Sequence, residues 1–173
     1  MRVLCSLSLL IVLACTSSST ETATSVVRRF YAATIAQKVT GAPTSAQLAT
    51  LAPYLSDTLR SLLDAARRRN EADAARDPNE KPMFADGDLF SSLFEGPNAV
   101  DVVADSVRGD VGVATVRMTY TGANPPVTWT DRVILTTRDG RFLIDDIEYG
   151  GQWDFANKGS LRASLVAALA SPP

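Results

Sequence analysis

Residues 127–149 read VTWTDRVILTTRDGRFLIDDIEY, and this stretch decides the fold. Val127 to Thr137 is rich in β-branched residues and predicts one long strand. Phe142 to Tyr149 predicts another. Between them, Arg138-Asp139-Gly140 predicts a tight hairpin, because Asp-Gly supplies the positive φ that such turns require. Working backwards, Val111 to Thr121 sets Val111 and Val113 on one parity and Val116, Met118 and Tyr120 on the other. Gly109-Asp110 turns that strand back onto Val100 to Val107. Four consecutive strands with short links predict an antiparallel meander.

Helical spacing flanks the strands. Val26, Val27, Phe30, Tyr31, Ile35 and Val39 recur every three or four residues, with Arg28, Arg29 and Lys38 opposite. Thr24 is the expected N-cap, and Gly41-Ala42-Pro43 the expected stop. Ser45 to Ala52 predicts a short helix. Leu55, Leu59, Leu62, Leu63 and Ala66 predict a longer one that runs towards Asp73 with a solvated or fraying end. Asp77 to Pro97 is irregular yet carries Met83, Phe84, Leu89, Phe90, Leu93 and Phe94, so it must pack on something. Ser91 to Glu95 is a candidate helical turn. Gly150-Gly151 ends the sheet, and Ser160 to Ala170 predicts a closing helix. The fold class is therefore α+β: N-terminal helices on a curved antiparallel sheet of about four strands, then a C-terminal helix. Such a sheet wrapped around helices would make a cone with an open mouth. Phe30, Leu59, Val116, Ile134, Ile144 and Ile147 are the expected core.

The first fifteen residues have a different character. Arg2 is followed by an eleven-residue apolar run, Val3 to Leu13, interrupted by Cys5, Ser6 and Ser8, and then Ala14-Cys15. The run is too short to span a bilayer. It reads as a signal peptide, residues 1–14, ending in a lipobox with Cys15 as the lipidated residue. Residues 15–24 are then the lipidated cysteine and a Ser/Thr-rich tether, and 25–170 form a single domain. The predicted location is extracytoplasmic and lipid-anchored. In a Gram-negative cell it would be the periplasmic face of the outer membrane, since Thr16 rather than an acid follows Cys15.

Composition narrows the chemistry. Of the 17 basic and 19 acidic side chains, only Arg2 belongs to the leader, so the mature chain is mildly acidic and gives no reason to expect a nucleic-acid partner. With Cys5 and Cys15 accounted for, no cysteine remains for a disulfide, a thiolate metal site or a catalytic thiol. There is no histidine, which removes Ser-His-Asp and Cys-His enzymes. No metal and no cofactor are predicted.

Two segments carry a family resemblance: Val27-Arg28-Arg29-Phe30-Tyr31, and Asp139 to Ile147 followed by Tyr149-Gly150-Gly151 and Trp153-Asp154-Phe155. With Phe84 to Phe90 they resemble bacterial lipoproteins of the domain-of-unknown-function family 3828, similar in fold to the nuclear-transport-factor-2-like superfamily. The resemblance implies a fold and an envelope location. It implies no activity and no catalytic residues.

Several groups are candidates for function. Asp145 and Asp146 are adjacent mid-strand, and alternation puts them on opposite faces, so one is expected to be much less exposed than the other. A buried acid is either a structural acceptor or, in an isomerase- or hydratase-type enzyme, a base partnered by Tyr31, Tyr120 or Tyr149 as electrophile. Asp86-Gly87-Asp88 resembles the start of a calcium loop but lacks the remaining ligands. Arg67-Arg68-Arg69 is flanked by acids and reads as a solvated helix face. Tyr149, Trp153 and Asp154 are candidate binding residues at a pocket rim, or else aromatics that lock the last helix. The leading expectation is a non-catalytic module binding a small ligand or an envelope protein, held to the membrane by its N-terminal lipid. A homodimer through the outer sheet face is a further possibility.

Overall fold

The computed structural model describes residues 21–172, so Cys5, Cys15 and the leader lie outside the described residues. The chain is α+β. Helices α1 (Ala23–Ala36), α2 (Ser45–Leu51) and α3 (Asp57–Arg76) precede strands β1 (Ala99–Arg108), β2 (Val111–Tyr120), β3 (Val127–Arg138) and β4 (Arg141–Glu148). Helix α4 (Leu161–Ala170) follows. The sheet is open, antiparallel and ordered β1-β2-β3-β4.

Each α-helix starts on a hydroxyl side chain that takes an orphan N–H of the first turn. Thr22 accepts from Ser25, Thr44 from Gln47 in a full capping box, Ser56 from Leu59, and Ser160 from Ala163. The cap of α1 is therefore Thr22, two residues before Thr24. The helix also stops earlier than its apolar spacing predicts. Lys38 turns at φ 48°, and Val39 N–H donates to the Thr34 carbonyl. Val39 is still buried, but as part of the loop rather than the helix.

The polar half of α3 is a firm helix rather than a fraying end. Asp73 is buried there between Arg69 at 2.9 Å and Arg76 at 3.2 Å. Asn70 donates to the Phe84 carbonyl at 2.7 Å and accepts from Phe84 N–H at 2.8 Å, which ties the 77–97 loop to the helix. No apolar stripe predicts this, because polar groups make the contact. Ser91 to Glu95 stays non-helical.

The hairpin at Asp139-Gly140 forms as expected, with φ of 50° and 72° at its two central residues. On β2 and β3 alternation is strict: Ala114, Val116, Met118, Trp129, Asp131, Val133 and Leu135 are buried. Ile134 takes the opposite parity and is only half-buried, unlike its expected core neighbours Phe30, Leu59, Val116, Ile144 and Ile147. Strand β4 breaks its alternation. Asp146 pairs with Ile134 while Ile144 pairs with Leu135, so Asp145 is the extra residue of a β-bulge. The bulge lets Ile144 and Ile147, three apart, both reach the core. Asp145 and Asp146 are consequently both half-buried, not one in and one out.

Helix α1 lies across β1, β2 and β4. The β4 edge is covered: Ser56 N–H donates to the Ile144 carbonyl at 2.8 Å, and Ser160 bridges Glu148.

Candidate functional site

Three pieces of chain meet at one end of the sheet: inward residues of β3, the 84–97 loop, and the 149–158 segment after β4. Asp131 stands at their centre, fully buried on the inner face between Trp129 and Val133. One carboxylate oxygen, Oδ2, accepts from Ser92 N–H at 2.8 Å and from Trp129 Nε1–H at 3.0 Å. The other, Oδ1, accepts from Gly150 N–H at 2.8 Å and from the Ser92 hydroxyl. A buried carboxylate without a cation is costly unless hydrogen-bonded, and these four donors compensate its charge.

The glycines make this approach possible. A Cβ on Gly150 would sit 2.1 Å from the Thr130 carbonyl oxygen, and one on Gly151 would sit 2.7 Å from Ser92 Cβ. Gly151 N–H donates to Ser92 Oγ at 2.9 Å. Asn157 completes the junction, its side chain donating to the Ser91 carbonyl at 2.7 Å and the Asp88 carbonyl at 3.0 Å. Its own N–H donates to the Ser92 carbonyl at 2.9 Å.

Two phenols approach the same loop. Tyr31, fully buried on α1, donates to the Phe90 carbonyl at 2.9 Å, and Tyr149 donates to the Leu89 carbonyl at 2.7 Å. Burial first, then the nearby carboxylates Asp131 and Asp88, raises both phenols above their ordinary range, so both stay protonated. Among the described residues, no hydrogen bond joins a tyrosine hydroxyl to a carboxylate.

Asp88 is the unsettled member. Its carboxyl accepts from Phe90 N–H, and Gly96 leaves it room, since a Cβ there would lie 2.3 Å from Oδ2. Burial, with a smaller push from Asp131, raises its pKa to about 7 against the opposing Phe90 bond. Asp88 also lines a cavity of about 290 Å³ with Thr34, Lys38, Thr40 and Glu95. Asp86 is taken by Lys81, and no group of three metal-ligating side chains exists among the described residues.

The acids expected at a site have other work. Asp146 Oδ1 accepts from Arg162 N–H at 2.9 Å and from Ile147 N–H at 2.8 Å, and Asp145 pairs with the Arg162 guanidinium. Together they hold the first turn of α4 against β4. Of the rim candidates, Trp153 turns inward, stacking edge-on to Trp129 at 5.9 Å, while Asp154 is exposed. Phe155 lies 6.1 Å from Trp153 and is 73% exposed. The indole N–H of Trp153 is buried and has no partner among the described residues. Arg67 and Arg68 pair with Asp64, consistent with a structural helix face, and Arg69 pairs with the buried Asp73.

Asp131, Ser92 and Asn157 escaped the sequence reading because they lie far from one another in the chain. One signal was present: Asp131 shares parity with Trp129, Val133 and Leu135, which places an acid on the inner face.

No protein-family model matches the chain. It is 29% identical over 121 residues to the uncharacterized lipoprotein YbjP of Escherichia coli. The aligned region covers 70% of this chain and 66% of that protein, slightly under two thirds of its length. Among solved structures, a SEC-C motif containing protein from Rhodopseudomonas palustris aligns at a TM-score of 0.45 and 15% identity. That alignment covers 76% of this chain and 80% of the other.

Proposed function

We propose that this chain is a lipid-anchored envelope protein, held at Cys15, that acts by binding and not by acid–base chemistry. The Met1–Cys15 pattern supports anchoring, as does the likeness to a protein named a lipoprotein. One observation carries the binding reading: the phenols are committed to backbone carbonyls and the central carboxylate to four donors of its own loops and strand. Tyr31 and Tyr149 donate to adjacent carbonyls, and Asp131 takes four donors. An isomerase-type site needs an acid and a phenol within reach of one reacting atom. The nuclear-transport-factor-2-like description is part of the proposal, supported by α1 lying across an antiparallel meander. The volume such a cone would leave open holds Phe30, Tyr31, Phe90, Met118 and Ile147. Binding is then assigned to the loop end, where Phe94 and Phe155 are exposed and Phe155 lies 6.1 Å from Trp153.

Cys15→Ser is expected to move the protein from the membrane fraction to the soluble fraction, and mass spectrometry to find an acylated Cys15 as first residue. An unmodified N-terminus beyond Cys15 would refute anchoring. For binding, a photo-crosslinker at Phe155 is expected to give a discrete adduct in native envelopes. The same crosslinker at exposed Val166 on α4 is the control. No adduct at Phe155, or the same adduct at both positions, would refute it.

A further inference from the structure

We propose that the end of the sheet bearing the two hairpin turns is the surface that rests on the lipid bilayer, with Val107, Arg108, Val111 and Arg141 against its phosphate headgroups. This rests on acylation at Cys15. The β1–β2 and β3–β4 turns lie side by side, since Thr137 N–H donates to the Asp110 carbonyl at 2.8 Å. Helix α1 runs antiparallel to β1: Thr24 donates to Asp105 at 2.7 Å, and Arg28 meets Asp101 at 3.5 Å. The start of α1 therefore points to the same end. Thr24's partner is three residues short of Arg108, about 10 Å of strand, and six residues beyond Ala99, about 20 Å.

Tether length then limits orientation. Cys15 and Glu21 are six residues apart, which spans at most about 20 Å of extended chain. That reaches the hairpin end easily. The opposite end, with its 84–97 and 149–158 loops, begins about 20 Å from Thr24's partner, so the tether meets it only when fully extended. The hairpin end also has suitable chemistry. Residues 107–111 are exposed without interruption, Val107 at 48% and Val111 at 51%. Arg108 and Arg141 have no carboxylate partner among the described residues, whereas Arg138 is held by Asp57. The turn acids Asp110 and Asp139 share this end, so the apolar pair and the two free guanidinium groups must outweigh them. Phe155 and Phe94 are then presented away from the membrane.

With Cys5 in the leader and Cys15 acylated, an introduced cysteine is the sole free thiol. Asp110→Cys and Phe155→Cys in the full acylated chain would each be labelled with a fluorophore. Each protein would be placed in phosphatidylcholine–phosphatidylglycerol vesicles containing headgroup spin-labelled lipid. Quenching is expected to be several-fold stronger at 110 than at 155. A long Gly-Ser insertion between Thr20 and Glu21 should weaken it at 110. The double variant Arg108→Gln/Arg141→Gln should weaken it in anionic vesicles and not in pure phosphatidylcholine. Equal quenching at both positions, or stronger quenching at 155, overturns the orientation while the protein still floats with vesicles. Failure to float overturns the acylation reading itself, and this proposal with it. No effect of the arginine pair overturns the headgroup contact.

Discussion

Asp131→Ala tests whether one buried carboxylate holds the loop end together. The substitution strands three fixed donors, Ser92 N–H, Gly150 N–H and the Trp129 indole N–H, plus the rotatable Ser92 hydroxyl. Each unpaired buried donor costs about 1–3 kcal/mol, so Ser92 N–H and the indole N–H alone imply a loss of at least about 2 kcal/mol, to which the part-buried Gly150 N–H adds less. Against a typical total of about 5–15 kcal/mol, that is a large share of the domain's stability. Asp131→Asn is the graded control. Its oxygen, placed at the Oδ2 position, keeps Ser92 N–H and Trp129 Nε1–H. Its amide nitrogen then faces the part-buried Gly150 N–H, so one fixed donor is lost at about 1 kcal/mol, the low end of the range. Trp129→Phe removes a donor instead of the acceptor, and its cost should combine less than additively with Asp131→Ala, since both delete the same bond. Urea unfolding at constant m-value reads wild type, the three single variants and the double variant. If Asp131→Asn and Asp131→Ala both stayed within about 0.5 kcal/mol of wild type, the range of an ordinary surface change, the central role of this carboxylate would be wrong.

Other expectations follow from the same geometry. Asp88 has a folded-state pKa raised to about 7, so the folded chain holds a proton that the unfolded chain releases near pH 4. Its contribution is therefore fully present at acid pH and lost as pH rises from about 4 through 7. Asp88→Asn should raise the melting temperature at pH 8 and leave it little changed at pH 4; equal shifts at both would refute the burial argument. Asp146 uses a single oxygen for both its bonds, so Asp146→Asn should be nearly neutral while Asp146→Ala costs about 0.5–2 kcal/mol through loss of support to the first turn of α4. Asp145→Asn breaks a partly exposed pair with Arg162 and should cost no more than about 1 kcal/mol by chemical denaturation. Ile147→Ala empties a fully buried position and should cost about 2–5 kcal/mol.

The sequence by itself determined the α+β class, the order of elements, the Asp-Gly hairpin and most of the core. These depend on local chemistry: helical periodicity, β-branched runs, hydroxyl caps and a turn that needs positive φ. Only the tertiary structure decided the rest. A bulge is a choice between two registers, and nothing local marks Asp145 as the extra residue; packing Ile144 and Ile147 together selected it. The polar half of α3 is held by Asp73 and Asn70 reaching across to the 77–97 loop, partners that spacing cannot name. The hub at Asp131 joins residues 39 positions from Ser92 and 19 from Gly150. Asp145 and Asp146 stand out in the sequence because strand alternation puts one of them on a core face. Asp131 is instead the most deeply buried carboxylate, because the fold brought four donors to a position the chain leaves unremarked.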